Sequence, residues 1–226
     1  LTAAAPHAKA FPVDLERATV ADLQAAMAAG TLSSERLAEG YLARIRALSS
    51  GGPAVNAVRA LSPTALDEAR ARDRERAEGK LRGPLHGIPV LIKDNIDQAG
   101  LPTTAGSLAL EGSMPAADAF LVTRLEAAGA VILGKANLTE FANFMTVGMP
   151  SGYSSLGGQV LNPYDASITP SGSSAGSAVA AALGLAAVTV GTETSGSILS
   201  PAVANSLVGV KPTVGLISRA GILPIS

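Results

Sequence analysis

The chain has 226 residues, 47% hydrophobic and 15% charged, with a formal net charge of −1, a mix that excludes intrinsic disorder. Near-neutral charge and 3% aromatics leave neither the basic footprint nor the stacking platforms of a nucleic-acid binder. There is no cysteine, so disulfides, thiolate nucleophiles and cysteine-ligated metals are excluded, and with His7 and His86 alone a His-rich metal site or a Ser-His-Asp triad is hard to build. At ~150 residues per domain, the expectation is one domain over 1–226, with a helical segment at about 14–50 and an α/β core at about 54–226.

The chain starts at Leu1, and Ala3-Ala4-Ala5-Pro6 has the look of sequence next to a removed export signal. A cut made at this point gives the same start, so export and cytoplasm both stay open, with the lean toward export. Thr19-Val20-Ala21-Asp22 has the form of a capping box, and Gly30 stops the helix it opens. Leu37, Tyr41, Leu42, Ile45 and Leu48 share one face of a second helix that ends at Gly51-Gly52-Pro53. Val55 to Leu61 reads as a short strand, and Ser62-Pro63 opens a third helix. The charges from Asp67 to Glu78 make that helix's later part a solvated face of mixed sign.

Ile88 to Ile92 is a continuous apolar run, the mark of a strand buried on both faces, with Lys93 and Asp94 at its carboxyl end. Asp118 to Ala128 reads as a helix capped by Gly129, followed by a buried strand from Ala130 to Leu133. From Asn143 to Gly172 the chain is rich in Gly, Ser, Pro and Tyr, and a loop this long is usually functional. Ser174 to Ala186 is a small-residue helix, Val188 to Val190 a strand, and Thr192 to Ser197 a tight polar loop before a helix from Ile198. Leu207 to Val210 and Leu216 to Ser218 are expected as final strands. The longest apolar run, Ala178 to Val190, has 13 residues, short of the ~20 that a membrane span needs. Alternating strands and helices imply an α/β fold with a central mixed, largely parallel sheet flanked by helices.

Three motifs fail on inspection. Gly129-Ala-Val-Ile-Leu-Gly134-Lys135 matches most of a phosphate-binding loop, but Ala136 stands where the magnesium-binding hydroxyl belongs and the intervening residues form an apolar strand. Gly172-Ser-Ser-Ala-Gly176 matches a nucleophile elbow around Ser174, yet no histidine follows His86. Asn137-Leu138-Thr139 matches a glycosylation acceptor beside a strand expected to be buried.

Two segments remain, Ser171-Gly-Ser-Ser-Ala-Gly-Ser177 and Gly191-Thr-Glu-Thr-Ser-Gly-Ser197. Alone, each is compatible with ordinary turn chemistry or with an anion nest. Together with Pro201-Ala202, Gly209-Val-Lys-Pro-Thr-Val-Gly215 and Gly87-Ile-Pro-Val-Leu-Ile-Lys-Asp-Asn-Ile96, they give the chain a resemblance to the amidase signature family of serine hydrolases. Leu81-Arg-Gly-Pro-Leu-His-Gly87, Thr104-Ala-Gly-Ser-Leu-Ala-Leu110 and Gly134-Lys-Ala-Asn-Leu-Thr-Glu140 look most like the peptide amidases. The likeness runs from about Phe11 to the last residue.

The resemblance implies the amidase signature fold, of which this chain carries the N-terminal half. It also implies a Ser–cis-Ser–Lys triad. Ser197 matches the nucleophile, Ser173 the bridging serine preceded by a cis bond, and Lys93 the base. Backbone N–H groups of Thr194, Ser195, Gly196 and Ser197 match the oxyanion hole, and Ala142 aligns with an acyl-site residue. No cofactor or metal is implied. The expected activity is hydrolysis of a primary carboxamide, most of all a C-terminal peptide amide, to carboxylate and ammonia. A glutaminase-type subunit of an amidotransferase and a non-catalytic binding protein of the same fold are the alternatives. The expected partners are the amide substrate and, as a separate segment, the C-terminal part of the domain, with neither nucleic acid nor a membrane span. Two departures stand out: Ser195 replaces a family glycine, and Leu199 stands where an arginine able to hold a substrate carboxylate often sits. The second argues for an apolar or peptide-like acyl group.

Chemically the triad needs no histidine. A serine hydroxyl needs an adjacent base, and a lysine serves only when neutral, against a reference pKa of ~10.4. Burial at the end of an apolar strand supplies the missing push. Asp94 and Asp97 are expected to oppose it if they face the ammonium.

Overall fold

The computed structural model describes residues 11–145 and 147–225, so the alanine-rich start and His7 lie outside the described residues. The main helices and strands are α1 (Val20–Ala28), α2 (Ser34–Arg44), β1 (Val58–Leu61), α3 (Ala65–Ala77), β2 (Pro89–Lys93), α4 (Phe120–Ala127), β3 (Val131–Ala136), β4 (Tyr153–Ser154), β5 (Gly158–Gln159), α5 (Ala175–Ala182), β6 (Val188–Val190) and α6 (Leu199–Ala204). Among the described residues, no helix is long and apolar enough to cross a membrane.

The capping box at Thr19 forms as expected. Thr19 Oγ1 accepts the Asp22 N–H at 3.2 Å, and the Asp22 carboxylate accepts the Thr19 N–H at 2.9 Å. α2 is capped by Ser33 and tied to α3 by Asp73, whose carboxylate accepts the Ser34 and Glu35 N–H groups at 2.7 and 2.9 Å. Its expected extension to Ser50 is present as wider π-type turns over Ile45–Ser50. α3 starts at Ala65, three residues after Ser62, because the Ser62 hydroxyl turns onto Thr64 instead of capping the next turn.

The central sheet has the order β1-β3-β2-β6. β1 runs antiparallel to β3, while β2 is parallel to both β3 and β6, so the sheet is mixed and largely parallel. Side chains alternate along a strand, and here both faces are covered. Leu91, Val131 and Leu133 pack with Leu23, Leu37, Tyr41, Val179 and Ala180 from α1, α2 and α5. Val90, Ile92 and Ile132 pack with Val122 of α4 and with Ile96. This two-sided burial explains the unbroken apolar run in β2. β3 extends beyond the expected Leu133 through Gly134 and Lys135 to Ala136. Gly134 sits at a bulge with φ +151°, where a Cβ would lie 2.1 Å from the Ala60 carbonyl oxygen.

Among its described residues, the loop from Asn143 to Gly172 forms the small hairpin β4–β5. Leu207–Val210 and Leu216–Ser218 are not strands. They run without a ladder partner among the described residues, and Val208 and Leu216 are 94% and 75% exposed. An extended, apolar stretch becomes a strand only where a neighbour takes its N–H and C=O groups.

Candidate active site

Lys93 closes β2, two residues on from Leu91, and therefore points to the sheet face covered by α5. It is fully buried. Its Nζ lies 2.8 Å from Ser173 Oγ, 2.9 Å from Ser174 Oγ and 3.3 Å from the Thr192 carbonyl oxygen. Burial pulls its pKa down to about 7, with the Glu193 carboxylate pulling the other way. The amine is thus divided between neutral and charged forms near neutral pH.

Ser173 and Ser174 precede α5, and both are buried. The Gly172–Ser173 peptide bond is cis. The backbone around it is pinned from β3's end: the Thr139 N–H donates to the Ser173 carbonyl at 3.0 Å, and Thr139 Oγ1 accepts the Gly152 N–H at 2.8 Å. Gly176 lets α5 lie against the backbone, since a Cβ there would stand 2.3 Å from the Asn137 carbonyl oxygen. Ser177 Oγ donates to the Val190 carbonyl at 3.0 Å and ties α5 to β6.

The 191–198 segment crosses above these serines. The Ser174 N–H donates to the Ser197 carbonyl at 3.1 Å, and Ser174 Oγ donates to the Thr192 carbonyl at 3.1 Å. Asn95, two residues after Lys93, donates through Nδ2 to Thr192 Oγ1 at 3.0 Å. The Glu193 carboxylate accepts the N–H groups of Ile198 and Leu199 at 2.8 and 3.0 Å. It occupies the N-terminus of α6, where a negative charge is favoured. Burial pushes the Glu193 pKa up, but the backbone N–H groups of Leu199, Ile198 and Gly196, with Lys211, outweigh that and hold it below the usual carboxylate range.

Ser197 is half-buried and, with Ala142, Thr194 and Ser195, lines a cavity of about 1200 Å³. Gly196 turns the chain at φ +78°. The cavity's further walls include Phe144, Ile198, Leu207, Val210 and Ile217. Leu199 is 42% exposed beside this loop. The structure thus brings Lys93 and Ser173 into hydrogen-bond contact and places Ser197, Thr194, Ser195 and Ala142 around one hollow.

Sequence reasoning missed three members of this arrangement. Ser174 is a direct partner of Lys93, whereas its motif points only to a nucleophile. Glu193, not Asp94 or Asp97, is the carboxylate that opposes loss of the Lys93 proton. Asp94 instead is ion-paired with Arg59, Nε to Oδ2 at 2.6 Å. Thr192 offers the Lys93 amine a backbone carbonyl, which no side-chain pattern encodes. His86 takes no part: its Nδ1 accepts the Arg82 N–H at 3.2 Å, so Nε2 carries the proton toward the Arg72 carbonyl at 2.9 Å. Asn137 is fully buried, which rules out the glycosylation reading in this fold, and Lys135 lies inside β3.

Comparison with known proteins places this site in context. The family Amidase matches residues 36–226. A solved peptide amidase from Stenotrophomonas maltophilia is 59% identical with a TM-score of 0.93, over 96% of this chain and 44% of that one. An amidase family protein from Bacillus anthracis is 45% identical with a TM-score of 0.89, over 92% of this chain and 41% of that one. A glutamyl-tRNA(Gln) amidotransferase subunit of Chloroflexus aurantiacus is 45% identical over 212 residues, 93% of this chain and 42% of that protein. The chain thus spans well under half the length of these relatives. With motifs, fold and family match in agreement, the chain belongs to the amidase signature family.

Proposed function

We propose that the protein is an amidase that hydrolyses a primary carboxamide, in the first place a C-terminal peptide amide, through an acyl-enzyme on Ser197. The observation that carries this reading is the buried Lys93 amine, held 2.8 Å from Ser173 Oγ with a pKa of about 7. A neutral amine has two N–H groups and one lone pair. With the N–H groups given to Ser174 Oγ and the Thr192 carbonyl, the lone pair faces Ser173 Oγ. Lys93 then takes the Ser173 proton as Ser173 takes that of Ser197, and Ser197 Oγ attacks the amide carbon. Backbone N–H groups in the 194–197 loop receive the developing oxyanion, a contribution worth about 3–4 kcal/mol per donor. The proton returns along the same path to the leaving nitrogen, and ammonia departs. Water, deprotonated by the same relay, cleaves the ester and regenerates Ser197.

The apolar cavity walls and Leu199, in place of a carboxylate-binding arginine, support a peptide-like acyl group, as does the likeness to a peptide amidase. We propose that residues 1–226 form part of a single amidase domain whose remaining portion completes the substrate pocket. The test is ammonia release from peptide amides by the intact protein and its Ser197→Ala and Lys93→Ala variants. Both variants should lose at least ~10³-fold in kcat, the scale set by removing a nucleophile or its base; wild-type turnover by either refutes the mechanism. The amidotransferase relatives support a second reading, an ammonia-producing component of a larger complex. Stable co-purification with other proteins, and no activity alone, would favour it.

A further inference from the structure

The residue after Lys93 is a fully buried aspartate. A carboxylate so close in the chain to a lysine that has to lose its proton is a liability, because a nearby negative charge favours the ammonium form. The structure turns this carboxylate elsewhere. Arg59, from β1 across the sheet, donates to it through Nη2 to Oδ1 at 2.9 Å, with Nε at ion-pair distance, 2.6 Å, from Oδ2 but not hydrogen-bonded, and also donates to the Pro102 carbonyl at 3.2 Å. The Thr104 hydroxyl donates to Oδ2, and the Gly106 N–H approaches it at 3.4 Å. The Asp94 backbone is held as well, its N–H donating to the Ala136 carbonyl and its carbonyl accepting the Ala105 N–H, both at 3.1 Å.

We propose that Arg59 is a positioning residue of this site: it clamps the Asp94 carboxylate away from Lys93 and cancels its charge, so that the amine serves as a base. The inference rests on the role of Lys93 proposed above. A planar guanidinium suits this task, since it neutralises both carboxylate oxygens at once and keeps its own charge inside the protein. The remaining charged groups around the site fit the assignment. Glu193, on the loop before α6, is the carboxylate acting on Lys93. Lys135, on β3, is fully buried and gives its ammonium hydrogens to the Ile96 carbonyl and to Thr103 Oγ1, at 3.1 Å for the latter, instead of to Asp94. Asp94 is the charge that acts most on Lys135, opposed by Arg59 and joined by Asp97 and Asp118, whereas with Arg59 in place none of the four acts on Lys93. Removing Arg59 would leave Asp94 a buried carboxylate without its guanidinium, one residue from the base, with Lys135 the remaining cation that acts on it.

The test is the pH profile of kcat/KM on a peptide amide for the intact protein, compared with Arg59→Met, Arg59→Lys and the double variant Arg59→Met/Asp94→Asn. Arg59→Met should move the acid limb up by about one pH unit, the low end of the effect of a close charge. Arg59→Lys, which keeps the charge, should leave the limb within about 0.3 of its original position, and the double variant should return it there. A purely structural arginine would lower kcat or the melting temperature without moving the limb, and that result overturns the proposal. So does a limb that stays displaced in the double variant. If Arg59→Met fails to fold, the double variant carries the test, since it removes the buried carboxylate together with its guanidinium: an acid limb at the original position supports the assignment, and a displaced one sinks it. A failure of the Lys93 mechanism is seen separately, as retained activity in Lys93→Ala.

Discussion

Replacing Lys93 by Met tests the buried amine without reference to catalysis. In the fold the amine titrates at about 7, against the ordinary value of 10.5. Below about pH 7 both folded and unfolded chains carry the proton, and the folded state bears the whole penalty of a buried ammonium. Between 7 and 10.5 the unfolded chain holds more protons than the folded one, so stability rises with pH, and above 10.5 the penalty is gone. The interval from 10.5 to about 7 corresponds to roughly 5 kcal/mol, at about 1.4 kcal/mol per decade. Met has similar length and no charge. It leaves Ser174 Oγ and the Thr192 carbonyl without the lysine donor, a loss of about 1–3 kcal/mol that does not vary with pH. The difference in unfolding free energy between Lys93→Met and the unchanged protein, measured by urea titration from about pH 6.5 to 9.5, should therefore move in favour of lysine by about 1.4 kcal/mol per pH unit over the upper part of that range. A flat difference curve would refute a desolvated lysine at this position, whatever the activity data say.

Three further outcomes follow from the same geometry. Ser174→Ala removes an acceptor of the Lys93 N–H, so kcat on a peptide amide should fall roughly 10- to 100-fold, the worth of a hydrogen bond to a charged or polarised group, with KM little changed; a kcat within about twofold of the original would deny Ser174 any part in aiming the amine. Glu193→Gln keeps an oxygen for the Ile198 and Leu199 N–H groups but removes the charge that favours protonated Lys93, so the acid limb of kcat/KM should move to lower pH, and movement in the other direction contradicts the assignment. Gly176→Ala gains ~1 kcal/mol of helix propensity but drives a methyl to 2.3 Å from the Asn137 carbonyl and 2.4 Å from that of Ala57. Thermal denaturation should show a net loss of roughly 3 kcal/mol or more, and an unchanged or raised melting temperature would mean that α5 can move off the sheet.

The mixed sheet and its flanking helices were legible because their signals are short-range. Two-faced burial leaves an unbroken apolar run at Ile88–Ile92, and one-faced burial leaves a helical stripe at Leu37, Tyr41, Leu42 and Ile45. The expected strands at 207–210 and 216–218 failed because an apolar stretch states only a preference for burial, while a ladder needs a second chain segment at the right height. β3 outran its expected end because Gly134, normally a breaker, serves a bulge there.

The site divides along the same line. Lys93, Ser173 and Ser197 were singled out by the family resemblance of their segments taken together, since each local pattern of glycine, serine or strand end alone also fits ordinary turn chemistry or a strand-end lysine. What those patterns do not contain is distance across the fold: Lys93 meets Ser173 and Ser174 at sequence separations of 80 and 81, and Arg59 meets Asp94 at 35. Local sequence therefore determined which groups are chemically able to act. The tertiary structure alone decided which of them meet, that Asp94 turns to Arg59 while Glu193 is the carboxylate whose charge acts on the amine, and how far burial lowers the basicity of Lys93, because desolvation and charge pairing are properties of the packed interior and not of any segment.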